Sequence, residues 1–267
     1  MTTNHHEMAT QGRPGNQAAA WQRFAIFGTL AAASLLAGCA TTNGASRDPQ
    51  DPFESFNRSM YSFNDGLDRA VLKPVATAYR DVTPRVARDG VTNFFSNLGD
   101  VWSFVNNLLQ GEVEGAYNSV VRFSVNTVFG IGGLFDVASE AGIARHRQDF
   151  GQTLGRWGVP TGPYLVLPLL GPSTVRDTAA LPVDVLGNPI AAVNDVPVRN
   201  SLYVLRLVDT RARLLNASDT IDSVAVDRYS LTRDVYLGIR RGRSGEDGRV
   251  EDYDDDAGKL PPEDGAK

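Results

Sequence analysis

Cysteine and histidine are nearly absent from this 267-residue chain, which contains one cysteine, Cys39, and three histidines. A single cysteine cannot form an internal disulfide, so no disulfide framework stabilises the chain. After Cys39 the only histidine is His146, which lies between Arg145 and Arg147 and is predicted to be a surface residue rather than a catalytic base. This composition also excludes the usual zinc sites, and we expect neither a metal nor another cofactor.

Catalytic motifs are equally scarce. No G-x-S-x-G sequence presents a serine nucleophile. The glycines Gly130, Gly132 and Gly133 lack the spacing of a phosphate-binding loop and are predicted instead to allow close helix packing or a bend. The net charge of −5 argues against nucleic-acid binding, which requires a basic face. The sequence therefore predicts a protein that is not an enzyme.

The apolar run at residues 24–36 is too short for a membrane-spanning helix, since it has 13 residues and such a helix needs about 20. Arg13 and Arg23 precede the run and small residues follow it, which is the order of a secretory signal. Residues 36–39 (LAGC) match the lipobox of bacterial lipoproteins. We therefore predict that residues 1–38 are a cleaved signal peptide and that Cys39 carries acyl chains such as palmitate; an ordinary signal with an incidental cysteine is the alternative.

Composition divides the remainder of the chain into three segments. Residues 39–50 are mostly small and polar and are predicted to be a flexible tether. Residues 51–240 form the predicted folded domain. Residues 241–267 are predicted to be a disordered acidic tail, because residues 246–267 carry nine acidic and three basic side chains and little apolar surface.

Apolar residues recur at helical spacing through the folded segment, and two-residue alternation is almost absent, so the predicted fold is all-α. The first helix is predicted to have Asp51 as its N-cap and to end near Pro74. Its inward stripe consists of Phe53, Phe56, Met60, Phe63, Leu67 and Val71. Further helices are predicted at residues 83–96, 100–110 and 112–129, and again after residue 200.

Two segments are too apolar for an ordinary helical bundle in water. Residues 120–135 contain one charged residue, Arg122, and are predicted to be deeply buried or in contact with lipid. Residues 157–175 contain no charged residue, and their four prolines forbid a helix. Irregular backbone at membrane depth needs protein or a water-filled cavity around it. This second segment is therefore either a buried core loop or the wall of a cavity.

Two long motifs resemble those of the MlaA (VacJ) family of phospholipid-transport lipoproteins. The first is residues 51–58 (DPFESFNR) followed by residues 61–64 (YSFN), and the second lies within residues 150–177 and includes FGQTLG and GPSTVRD. The resemblance implies a ring-like helical bundle that lies in the inner leaflet of the outer membrane. It also implies an amphipathic channel that takes phospholipids misplaced in the outer leaflet.

The resemblance favours the cavity wall for residues 157–175 and supplies candidate lipid contacts. These candidates are Phe56, Met60, Phe63, Tyr164, Leu165, Leu167, Leu169 and Leu170. Membership would also imply a periplasmic lipid-carrier protein and a trimeric porin as partners, and Ala40 after the cysteine implies an outer-membrane location on the periplasmic side. A structural scaffold for a porin is the alternative function, and a phospholipase is disfavoured by the missing catalytic motifs.

Replacing Cys39 tests the predicted anchor. The variant Cys39→Ser should be neither lipidated nor cleaved at this site, because serine offers no thiolate for diacylglyceryl transfer. Metabolic labelling with palmitate measures the anchor directly, since the chain has no second cysteine. Label incorporated into the variant would contradict the lipobox assignment.

Overall fold

The computed structural model describes residues 48–244. Cys39, the predicted signal peptide and nearly all of the predicted tether lie outside the described residues, as does the predicted tail beyond residue 244. The assignments of these segments therefore stay predictions, and the structure bears on the folded segment alone.

Helices make up most of the described chain, which confirms the predicted all-α class. The helical elements are α1 (Glu54–Leu67), a π-helical segment (Asp68–Leu72), α2 (Lys73–Val82), α3 (Arg85–Gln110), α4 (Val113–Val128), α5 (Val137–Glu140), α6 (Phe150–Arg156), α7 (Val175–Gly187), a 3₁₀ turn (Pro189–Ala192), α8 (Val196–Arg213), α9 (Leu215–Val224) and α10 (Arg228–Ser244). Between α6 and α7 lies a two-stranded antiparallel sheet of β1 (Tyr164–Leu167) and β2 (Gly171–Thr174). Among residues 48–244, no helix is both long enough and apolar enough to span a membrane.

The start of α1 differs from the prediction, because Asp51 is not its N-cap. Glu54 is the first helical residue, and no side chain caps the helix. Asp51 is instead buried, where Asn57 Nδ2 donates a hydrogen bond to it at 2.7 Å and the Tyr229 hydroxyl donates another. Asp51 thus connects the beginning of the domain to α10.

The predicted end of the first helix at Pro74 is also wrong, since the helical chain continues to Val82. Within the π-helical segment, the Lys73 amide donates to the carbonyl of Asp68, five residues earlier, which widens the turn ahead of the proline. Pro74 then lies in the first turn of α2, where a missing N–H is tolerated. Arg211 holds the widened turn by donating to both carboxylate oxygens of Asp68, at 2.6 and 2.8 Å.

One long helix, α3, replaces the two helices predicted at residues 83–96 and 100–110. Gly99 lies within it, and no atom within 4 Å would meet a side chain at that position, so this glycine marks no break. The helix ends at Gly111, whose φ of +75° is readily adopted by glycine. The predicted helices at 112–129 and after residue 200 are confirmed as α4 and as α8 and α9.

Residues 157–175 contain the β-hairpin, which the sequence did not reveal. In its register Tyr164 lies opposite Thr174, and Leu167 lies opposite Gly171. The chain therefore avoids a helix, as the prolines predict, yet forms regular structure over two four-residue strands.

Two asparagines of α1 replace a third strand along the free edge of β1. Asn57 donates to the carbonyl of Tyr164 at 3.1 Å and accepts from the amide of Val166 at 2.8 Å. At the end of β1, Asn64 repeats this pattern: it donates to the Leu167 carbonyl and accepts from the Leu169 amide, both at 2.8 Å. We call these two residues the asparagine clamp, because they satisfy backbone groups that an open edge would expose.

The largest buried apolar cluster lies against β1 and is small. Tyr164 and Val166 are 0% exposed and pack with Tyr229 and Leu237 of α10, and Met60 of α1 lies against the cluster. The hydrophobic core thus joins the hairpin to the first and last helices of the described chain.

Candidate lipid-contacting surface and polar interior

The buried face of helix α3 is mostly polar, and its large apolar side chains, apart from one, are exposed or half-buried. Its buried residues are one phenylalanine, Phe95, and the polar set Ser96, Asn97, Asp100, Ser103, Asn106 and Asn107. Its exposed residues include Val86 at 74% and Leu108 at 54%. The helical spacing of its apolar residues predicts the opposite orientation, with apolar residues inside, if water surrounds the helix.

Helix α4 has the same reversed pattern. Its buried residues are Gly115, Ala116, Ser119, Arg122 and Asn126, whereas its exposed apolar residues are Val113, Tyr117, Val120 and Val128. Gly115 allows close approach to α3, because a side chain there would lie 2.4 Å from Asn107 Oδ1. Helices of a protein in water normally bury the apolar stripe, so this surface is suited to apolar surroundings.

Polar contacts join the two helices directly. Asn107 of α3 donates to the Ser119 hydroxyl at 3.3 Å, and Asn97 donates to Thr127 at 3.0 Å. Arg122 lies 3.7 Å from Asp100 and is only 1% exposed. We call the buried polar residues of this contact the polar seam; they are Asn97, Asp100, Asn107, Ser119, Arg122 and Asn126.

Arg122 is the most extensively bonded residue of the polar seam. It donates to Asp136 at 2.7 and 3.0 Å, to the Ser139 hydroxyl at 3.1 Å and to the carbonyl of Ile143. Arg145 also donates to Asp136, at 3.2 Å. A buried guanidinium is tolerated only when it is paired and hydrogen-bonded, and these contacts meet both conditions.

Asp100 is a member of the polar seam with one carboxylate oxygen that accepts no hydrogen bond. Its carboxylate lies 3.7 Å from Arg122 Nε and 3.6 Å from Arg145 Nε, and neither of these nitrogens makes a hydrogen bond. Burial raises the pKa of Asp100 to about 6, against the opposing positive charges of Arg145 and Arg122. The positive charges of Arg145, Arg122 and Arg147 all favour the charged form of this carboxylate.

Within the segment at residues 120–135, the apolar side chains that follow α4 are exposed rather than deeply buried. Phe129 is 72% exposed, Ile131 is 67% exposed and Phe135 is 50% exposed. The expected bend after the helix is present, with φ of +68° at Gly132 and +90° at Gly133. Of the two readings of this segment, deep burial is wrong, and its apolar side chains extend the exposed surface of α3 and α4.

The candidate lipid contacts are divided between the core and the surface. Tyr164 is buried in the core cluster, while Leu165 and Leu167 are half-buried on the other face of β1. Leu169 and Leu170 form the exposed hairpin turn, at 66% and 65%. The segment at 157–175 thus combines a buried strand with an exposed apolar turn.

The three candidates on α1 are less buried than the predicted stripe implies. Phe56 and Met60 are half-buried, and Phe63 is 53% exposed. The expectation that Phe63 faces inward is wrong, because the face of α1 that meets the hairpin is formed by the asparagine clamp. Asparagines seven residues apart lie on one helix face, which is the signal in the sequence that could have indicated this contact.

A groove along α8 was not expected from the sequence. It has a volume of about 420 Å³ and is lined by Asn200, Ser201, Val204, Leu205 and Val208. Most of its lining is apolar. The groove therefore adds a second apolar surface, on a different helix from those of the polar seam.

His146 is half-buried rather than fully exposed. Its Nε2 lies 3.1 Å from Asn118 Nδ2, and its carbonyl accepts a hydrogen bond from Asn107 at 3.2 Å. These contacts fix the loop after α5 against the polar seam. Between residues 48 and 244, no group of three His, Cys, Asp or Glu side chains is placed to hold a metal ion.

Similarity to known proteins extends over most of the described residues, and the MlaA lipoprotein family model matches residues 49–243. This chain belongs to the MlaA lipoprotein family. It is 38% identical to the intermembrane phospholipid transport system lipoprotein MlaA of Escherichia coli (strain K12), over 76% of this chain and 82% of that protein. The protein of that name from Haemophilus influenzae is 35% identical over 79% of this chain and 86% of its own length.

A solved structure of the family has the same fold. It was reported as part of the "Structural basis for maintenance of bacterial outer membrane lipid asymmetry". The TM-score is 0.65 at 37% identity, and the match covers 74% of this chain and 100% of the other. The family resemblance inferred from the two motifs is therefore confirmed.

The polar seam predicts a pH dependence of stability. Because the folded-state pKa of Asp100 is raised, its contribution to stability is fully present below its unfolded pKa of about 4 and is lost as the pH rises through about 6. In detergent, Asp100→Asn should remove this slope, which is on the order of 2 kcal/mol between pH 4 and 7. Unfolding free energies across this range measure the effect, with the exposed Asp89→Asn on the same helix as control. Identical profiles for wild type and Asp100→Asn would refute the assignment.

Proposed function

We propose that this chain is a lipoprotein that removes misplaced phospholipids from the outer leaflet of the outer membrane and passes them to a periplasmic carrier. Its mature form would be held by acyl chains on Cys39, and its body would lie in one leaflet. This activity maintains the lipid asymmetry of the outer membrane. The observation that carries the proposal is the reversed burial of α3 and α4, with polar residues inside and apolar residues outside.

Lipid surroundings account for that reversal. In water, the exposed valines, leucines and aromatics of α3 and α4 would form a large unfavourable apolar surface. In the acyl region of a leaflet the same residues contact apolar chains, and polar side chains must pair within the protein. The polar seam provides that pairing, so the body needs no membrane-spanning helix to be embedded.

The transport step would be a partition between two kinds of surface, in which no bond is broken. The exposed turn of the hairpin, at Leu169 and Leu170, offers contacts for acyl chains, and the headgroup would follow a polar path. A trimeric porin and a periplasmic lipid carrier are the partners that we propose from the family resemblance.

A scaffold that packs against a porin is the second candidate. The exposed apolar surface of α3 and α4 also suits the lipid-facing wall of a porin, so this surface alone does not separate the two functions. Phospholipid extracted with the purified protein favours transport, whereas a porin complex without bound phospholipid favours the scaffold. The two outcomes can be read from one preparation by lipid mass spectrometry.

Membrane embedding predicts that the body binds lipid without its anchor. In the Cys39→Ser background, Phe129→Asp should lower binding to liposomes by about tenfold or more, because the apolar side chain contributes about 2 kcal/mol when buried in lipid. Its melting temperature should change little, since Phe129 is 72% exposed. Flotation with liposomes measures binding, and Phe129→Leu is the control that keeps an apolar side chain. Unchanged flotation of Phe129→Asp would show that Phe129 is not part of the membrane-contacting surface.

The hairpin turn predicts a separation of transport from stability. Leu169 has a φ of +67°, which aspartate tolerates better than leucine, so Leu169→Asp should fold normally. Its charge should nevertheless impede acyl chains and cause phospholipid to accumulate on the cell surface. Leu169→Asn is the matched neutral control, and Val166→Asp, at a site that is 0% exposed, should unfold the domain. Normal surface lipid in cells with Leu169→Asp would leave the turn without a role in transport.

A further inference from the structure

The last helix of the described chain is bonded to the starts of two other helices through one arginine. Arg240 of α10 is 9% exposed and donates to both carboxylate oxygens of Asp149. Its Nε donates to Asp177 at 2.8 Å, and its Nη2 lies 2.7 Å from the second oxygen of that carboxylate. We call Arg240, Asp149 and Asp177 the arginine bridge. Gly151 permits this close approach, since a side chain there would lie 2.5 Å from Asp177 Oδ1 and 2.7 Å from Arg240 Nη2.

Both carboxylates of the arginine bridge lie at helix starts. Asp149 is the N-cap of α6 and accepts from the Gln152 amide in a capping box. Asp177 lies in the first turn of α7. Carboxylates are favoured at these positions by the free amides and the dipole of a helix start, and a guanidinium can donate to two carboxylates at once. One side chain of α10 therefore fixes the beginnings of α6 and α7.

Contacts of the arginine bridge extend to both ends of the hairpin. Helix α7 follows β2 directly, so Asp177 lies three residues after the end of that strand. Arg176 Nε donates to Asp177 at 3.4 Å, and Arg176 Nη1 donates at 3.2 Å to the carbonyl of Val159, in the segment before β1. The Tyr236 hydroxyl of α10 also donates to Asp177, at 3.0 Å. The base of the hairpin is thus held on both sides by a network that ends in α10.

The arginine bridge lies between two groups of elements that are each bonded internally. In the first group, α1, the hairpin and α10 share the small apolar cluster, the asparagine clamp and the contacts of Asp51. In the second group, α6 and α7 are bonded to α3, where Thr153 donates to Asn106 and the Trp102 indole donates to Asp184, both at 2.8 Å. The bridge therefore joins the group that holds the hairpin turn to the group that carries the polar seam.

We propose that Arg240 is a positioning residue for lipid transport, which sets where the hairpin turn lies relative to the apolar surface of α3 and α4. The inference rests on the proposed transport function, and Arg240 acts through the hairpin rather than by contact with lipid. Each strand extends about 3.4 Å per residue, so a tilt of about 10° at the base moves a turn about 13 Å away by roughly 2 Å. A shift of that size separates side chains that are in van der Waals contact.

Distances between two spin labels test the arginine bridge in the purified full-length lipoprotein. One label is attached to the turn at Leu170→Cys and the other to α4 at Val128→Cys, where the native side chains are 65% and 71% exposed. The proposed acylation of Cys39 leaves these as the free thiols, which labelling of the protein without added cysteines checks. Adding Arg240→Gln should shift or broaden the distance distribution by about 2 Å or more. In cells, the same substitution should raise outer-leaflet phospholipid, measured by its accessibility to an added phospholipase.

Matched variants separate positioning from stability. Arg241→Gln removes the same charge from a neighbouring half-buried residue outside the bridge and should leave both measurements unchanged. The charge-balanced variant Arg240→Met/Asp149→Asn removes one charge of each sign and leaves Asp177 next to Arg176. Its melting temperature should stay close to that of the wild type, because no buried charge of the bridge loses its partner. Its label distances should nevertheless shift as in Arg240→Gln, and those of Arg240→Lys should be intermediate.

Three results would overturn the proposal. Unchanged label distances in Arg240→Gln would show that the bridge does not place the turn. A shift in Arg240→Gln that is absent from the charge-balanced variant would assign Arg240 to stability alone. Shifted distances with normal outer-leaflet phospholipid would separate the position of the turn from transport, provided that deletion of the whole protein raises this phospholipid. If that deletion has no effect, the transport function fails and the proposal fails with it, an outcome that is recognised from the deletion strain alone.

Discussion

The polar seam between α3 and α4 is the contact on which the rest of the structure depends. Where a soluble bundle would place leucines, these helices place asparagines, serines, Asp100 and Arg122. Hydrogen bonds and ion pairs are directional, so they fix one register between the helices, which apolar packing alone would specify less tightly. Because the seam uses the polar residues, the apolar ones remain outside, and the same feature thus determines both the interior and the surface.

A second set of polar contacts joins the ends of the described chain through the hairpin. The asparagine clamp holds the edge of β1, and Asp51 connects Asn57 to Tyr229 of α10. Tyr164, on the same strand, packs in the small apolar cluster with Tyr229. The hairpin is therefore fixed along its strands while its turn, at Leu169 and Leu170, remains exposed. The paired strands therefore give the exposed turn a fixed support.

The helices could largely be predicted from the sequence, but the direction each helix faces could not. Spacing of apolar residues locates α4 and α8 well, since periodicity does not depend on what surrounds the helix. The choice of the inward face assumes water outside, and this assumption fails for α3, where Val86 is exposed and Asn107 is buried. The predicted helix end near Pro74 is wrong for a different reason. The π-helical turn before the proline accommodates it, and no propensity rule anticipates such a turn.

The candidate site was predicted only in part for the same physical reason. The motif at residues 150–177 indicated the hairpin segment through family resemblance, whereas its apolar composition alone left a core loop and a cavity wall equally open. Tyr164 is buried in β1 and Leu169 is exposed in the turn, so one apolar segment is divided between both environments. The asparagine clamp, formed by residues more than 100 positions away from the strand in sequence, carries no apolar signal and was missed.

Charge balance is a condition that the interior of the domain has to meet. In the polar seam, Arg122 and Arg145 face Asp100 and Asp136, so the charges cancel within the protein. A protein embedded in apolar surroundings has more reason than a soluble one to cancel its internal charges, because solvent does not screen them. The cancelled charges of the polar seam are therefore explained by the requirements of folding in such surroundings.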